Sequence, residues 1–66
     1  MTLREYDTVR LRRPIPQHRL DAGTLGAVVM VFDDPPAYEV EFCAEDGSTL
    51  ALVTLTESDL EPAAAG

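Results

Sequence analysis

The sequence has no lysine and no tryptophan, one cysteine, one histidine, and only four aromatic side chains among its 66 residues. Each shortage closes a route to function. Cys43 alone cannot form an intramolecular disulfide, and no second thiol stands at metal-ligand spacing. A small domain without such staples fits a reducing compartment. His18 sits between Gln17 and Arg19 in a proline-flanked loop, without the positioned partner a general base needs or the companions of a metal site. It reads as a solvated loop residue. No long apolar run follows Met1, because Arg4, Glu5 and Asp7 interrupt it. Neither a signal peptide nor a membrane span is expected, and the expected location is the cytoplasm. No Gly-rich phosphate cradle is present, since "GTLG" is too short and precedes a strand. No nucleophile–base pair can be read, so no catalytic residue, metal or cofactor is expected.

Charge is scarce in one sign. The formal net charge is −7, and all five basic residues are arginines within the first nineteen positions. Acids dominate from Asp33 onward. Such a chain repels phosphate backbones, so nucleic acid is an unfavoured partner. Arg10, Arg12, Arg13 and Arg19 are the secondary candidates for an anion or nucleic-acid site. Their plainer role is to offset the acidic remainder of the molecule. Length adds a further limit: 66 residues make one domain, 1–66, that buries only about 60% of its unfolded surface. Little core is left over to wall an enclosed catalytic cleft, and an enzyme is not expected.

What the sequence does have is strand patterning. "YDTVRLRR" (6–13) alternates like a half-buried strand. "PIPQHRLDAG" (14–23) reads as an irregular loop, with Ile15 and Leu20 anchoring it to the core. Gly23 and Gly26 are expected to allow a sharp turn into "AVVMVF" (27–32), a strand apolar on both faces. "DDPP" (33–36) ends that ladder. It could weakly attract a cation but lacks the oxygen-ligand spacing of a calcium loop. A third strand over 37–43 places Tyr38, Val40 and Phe42 on one side, with Glu39, Glu41 and Cys43 on the other. Cys43, beside Glu41, Glu45 and Asp46, is read as a small packing residue. The fourth strand covers 49–55. "TESDL" (56–60) predicts a single helical or 3-10 turn, with Thr56 as N-cap, Asp59 answering it and Leu60 closing the core. Residues 63–66 are expected to fray.

Asp46-Gly47 signals a two-residue type I′ hairpin turn. Opposed positions then sum to 93, pairing Phe42 with Ala51, Val40 with Val53 and Tyr38 with Leu55 on the core face. The other face pairs Cys43 with Leu50, Glu41 with Leu52 and Glu39 with Thr54. A four-residue loop keeps this parity, and a three-residue loop breaks it. Two leucines therefore stand beside two glutamates on the wrong side. Either curvature and the first loop cover Leu50 and Leu52 privately, or they form an apolar patch with an acidic rim. Glu39, Glu41, Leu50 and Leu52 are the candidate partner-binding residues, for a protein partner of basic character or for a second copy of the chain.

Four to five short antiparallel strands, a long first loop and a C-terminal 3-10 turn predict an all-β fold, a small SH3-like barrel. The run "LDAGTLGAVVMVF" followed by "AYEVEFCAEDGSTLALVTLTESDLEP" resembles a family of short bacterial proteins of uncharacterised function. More distantly it is similar to the barrel of the nitrile hydratase beta subunit and its small activator proteins. The resemblance implies an SH3-like barrel that binds a partner or forms a subunit, with metal ligation left to another chain. Relatives that look like neighbours of small toxin-like proteins imply an antitoxin or immunity role, and an interaction module of this kind could equally chaperone one partner. The residues themselves leave open a protein-interaction module, a nucleic-acid-binding barrel and a structural homo-oligomer.

Overall fold

The computed structural model describes residues 3–63. Five strands form one antiparallel sheet: β1 (Thr8–Leu11), β2 (Leu25–Asp33), β3 (Pro36–Cys43), β4 (Thr49–Leu55) and β5 (Leu60–Pro62). Short 3-10 turns at Pro16–His18 and Glu57–Asp59 interrupt the loops. The strand order is β4-β3-β2-β1-β5. This is the expected all-β fold in strand number, direction and terminal 3-10 turn.

That order forces the sheet to curl. β4 and β5 occupy opposite edges, yet only residues 56–59 separate them. In a flat sheet, four strand spacings would set these edges about 19 Å apart. Five residue steps span at most about 18 Å when fully extended. The link cannot be extended, because three of its residues form a 3-10 turn that rises only about 2 Å each. The edges must therefore bend toward one another, and the turn packs back against β3. Among the described residues the ladder itself stays open, since β4 pairs only with β3 and β5 only with β1.

The concave side holds the core. Val9, Val28, Val40, Phe42 and Leu60 are fully buried, and Leu3, Leu11, Leu20, Tyr38, Ala51 and Leu55 join them. Leu20 anchors the first loop as expected, and Ile15, bridged to it, packs partly against the core. Gly26 departs from the sequence reading. It lies within β2 opposite Val9, and not in a turn. A Cβ there would come within 2.8 Å of the Phe42 ring and of Val40 Cγ1, so this glycine makes room for the ring. Gly23, at φ +90°, does serve the turn.

Further differences are local. β1 is shorter than 6–13: it spans only Thr8–Leu11, and before it Tyr6 takes a left-handed conformation at φ 71°. "DDPP" ends the ladder more tightly than read: Asp33 pairs with Pro36 around a cis Asp34–Pro35 bond. Proline is tolerated there as the first residue of a strand. The expected turn after β4 forms as read, with Asp59 Oδ2 accepting the Thr56 backbone N–H at 3.1 Å. Most of the tail expected to fray, 63–66, lies outside the described residues. Ala63 itself is tied down, its N–H donating to the Thr8 carbonyl at 3.0 Å.

Candidate functional site

The β3–β4 hairpin carries the candidate residues, and its register is set by two offsetting irregularities. The turn is not the two-residue type. The Ala44 N–H donates to the Ser48 carbonyl at 2.8 Å and the Gly47 N–H to the Ala44 carbonyl at 2.9 Å. The loop is therefore three residues, 45–47, with Gly47 at φ +88°. A turn followed by a left-handed glycine is the usual three-residue hairpin. Asp46 braces it, accepting from the Ser48 backbone N–H at 2.9 Å and the Ser48 hydroxyl at 2.6 Å. These bonds from Ser48 hold its carboxyl below the usual aspartate range.

A three-residue loop shifts the pairing by one, so Cys43 lies opposite Thr49 and not Leu50. The ladder then shifts back between Cys43 and Phe42, leaving Leu50 as an unopposed bulge. Beyond it, Phe42–Ala51, Glu41–Leu52, Val40–Val53, Glu39–Thr54 and Tyr38–Leu55 pair as the sequence predicts. Cys43 is exposed, which overturns its reading as a packing residue.

Leu50 and Leu52 are each 54% exposed. Among the described residues nothing folds over them, which argues against private burial. Opposed residues share a face, so β3 and its two neighbours define a continuous outer surface. Leu52 and Ala27 flank Glu41; Thr54 and Met30 flank Glu39; Phe32 lies opposite Ala37. Met30 and Phe32 are exposed, at 51% and 39%. They belong to the site and were missed by sequence reasoning. The reason is a second bulge: the β2–β3 register shifts between Val28 and Met30. Without it, Met30 and Phe32 would share the inner face with Val28. A strand apolar at every position carries no period from which that flip can be read.

The two glutamates are positioned, not loose. Thr49 Oγ1 donates to Glu41 Oε2 at 2.9 Å, and Thr54 Oγ1 donates to Glu39 Oε1. Among the described residues, no ion pair joins either carboxylate to a basic side chain.

The arginines lie outside β2, β3 and β4, with Arg10 on the same outer face one strand beyond Leu25, and two of the four candidates make a polar contact. Arg10 opposes Leu25 and Glu61 across its neighbouring strands and donates from Nη1 to the Gly23 carbonyl at 3.1 Å. Arg13 Nε lies 3.6 Å from Asp59 Oδ1. Arg12 borders a shallow depression together with Glu57, Ser58, Leu60 and Glu61. Arg19 caps the 3-10 turn in the separate β1–β2 loop, at φ 57°. Carboxylates thus interleave with the arginines of β1 and its continuation. Among the described residues, no three His, Cys, Asp or Glu side chains gather as a metal site would require. No helix there is long and apolar enough to cross a membrane.

The sequence profile of the family described as Domain of unknown function (DUF4926) matches residues 5–62. The chain belongs to the DUF4926 family. The match spans all five strands of this DUF4926 domain and both faces of its sheet. No curated protein and no solved structure matches the chain.

Proposed function

We propose that this DUF4926 domain is a non-catalytic protein-interaction module whose docking face is the outer surface of β2, β3 and β4. One observation carries the reading. Two carboxylates, held by threonine hydroxyls and paired with no basic side chain among the described residues, stand among four exposed large apolar side chains. An isolated apolar side chain on a surface needs no explanation, but a contiguous set does. The aliphatic groups supply affinity, and Glu39 and Glu41 favour a basic partner through association rate and specificity.

An antitoxin, immunity or chaperone-like accessory role in the cytoplasm is the setting that fits such a module. Nucleic acid is less favoured, because Arg10, Arg12 and Arg13 share their surface with Glu57, Asp59 and Glu61.

The test is affinity capture from native extract, followed by titration of the recovered protein against Leu52→Asp. Losing one buried leucine costs about 1.5–3 kcal/mol, so the variant should bind roughly 10- to 100-fold more weakly. Unchanged affinity would remove this face from the account.

A further inference from the structure

The two edges of the sheet differ in a way that says how a partner would engage the face. β5 is guarded: it is three residues long and carries Glu61 and Pro62. Short length, charge and proline are the usual means of keeping a sheet edge from pairing with other chains. β4 is seven residues, "TLALVTL", with neither charge nor proline. It pairs only with β3, and beyond that ladder residues 51–55 make no backbone hydrogen bond among the described residues. Alternate amides and carbonyls along 51–55 are thus left for another strand. The Leu50 bulge interrupts the edge at its start and restricts the usable stretch to these five residues.

Resting on the docking face proposed above, we infer that β4 is extended by an additional strand, an extended segment of a partner protein in which basic and apolar side chains alternate. Main-chain bonds to 51–55 would provide register, and the alternation provides recognition. On the outer face, the added strand runs beside Leu52 and Thr54. The backbone of β3 lies two strand spacings away, about 10 Å. A lysine or arginine stem spans that gap over Leu52 while its head meets Glu41, and the next basic side chain crosses Thr54 toward Glu39. Long basic side chains readily bury their stems in this way. Each glutamate still offers one carboxylate oxygen that its threonine does not occupy. The segment's apolar side chains fall on the concave side, against Val53, which is only partly buried where the ladder is open. A second copy is the poorer occupant. Two chains of net charge −7 would meet edge to edge, and β4 brings no basic residue to the other's glutamates.

The probe is a capped octapeptide alternating lysine and valine, titrated into the full chain at low salt and followed by amide chemical shifts. Saturable binding is expected, with the largest shifts at 51–55. Two N-methylated forms follow, each blocking one set of alternate peptide amides. One should bind at least tenfold more weakly, and the other within twofold of the parent, because only one set faces β4. Glu39→Gln combined with Glu41→Gln should also weaken the parent peptide several-fold. Equal binding of both N-methylated forms, no binding at millimolar peptide, or a peptide-free dimer at micromolar concentration each overturns strand addition. If strand addition fails while Leu52→Asp still weakens the captured partner, the docking face stands and only the mode of engagement falls.

Discussion

β3 presents two surfaces built from one alternating run, and they are stabilised by different means. Inward, Tyr38, Val40 and Phe42 meet Val28, Ala51, Leu55 and Leu60, and no polar side chain is buried among them. Outward, Glu39 and Glu41 are fixed by single threonine hydroxyls, with Leu52, Met30 and Phe32 around them facing solvent. The inner surface is completed within the chain. The outer one has the ingredients of a core, large aliphatic and aromatic groups, without a lid. A small domain has few hydrophobes to spend, since it buries a modest fraction of its surface. Setting four large ones outside is therefore a cost that packing within this chain does not offset.

The sharpest way to break the comparison is to make the same truncation on both surfaces. Leu60→Ala removes a fully buried side chain and should cost about 2–5 kcal/mol in urea unfolding. Leu52→Ala, on the outer surface, should cost under about 1 kcal/mol. Similar losses at the two sites would mean that the outer leucines contribute to folding as core residues do. An intermediate effect belongs to Gly26→Ala. Its new methyl would press on Phe42 and Val40 from 2.8 Å, costing about 1–3 kcal/mol. Adding Phe42→Leu should recover part of that loss, and a double-mutant cycle showing simple additivity would dismiss the close approach as the cause.

The smallest effect lies at the hairpin tip that sets the outer register. Asp46 titrates low because Ser48 donates to its charged form. Its folded value lies below its unfolded one. Its contribution to stability is therefore present above the unfolded aspartate value and is lost as pH falls through the folded one. A carboxyl-carbon NMR titration should place Asp46 below the ordinary aspartate midpoint, and Ser48→Ala should move it back up. No upward move would show that the hydroxyl bond is not the cause.

Much of this contrast can be read from residues alone. The alternation in "YEVEF" assigns the two faces of β3, and the core pairs from Phe42–Ala51 to Tyr38–Leu55 follow from a bend near Asp46-Gly47. Parity holds there only because two departures cancel: a three-residue loop moves the ladder one way, and the Leu50 bulge moves it back. At Cys43, between the two, parity failed. β2 hid more. Every position from Ala27 to Phe32 is apolar, so a bulge near Val29 leaves no trace in the pattern while reversing the sides of Met30 and Phe32. Gly26 was equally opaque, because a glycine that admits a ring reads like one that admits a turn. β5 was too short to announce itself.

The four-residue link between β4 and β5 also bears on the order of assembly. Joining Val9 to Pro62 in an otherwise unstructured chain closes a loop of about fifty residues. Once the β1–β2–β3–β4 meander exists, the same pairing need only close the link 56–59, which lowers the entropic cost by about 2 kcal/mol. The last strand is thus poised to dock late and fast, sealing Leu60 over a meander that is already in place.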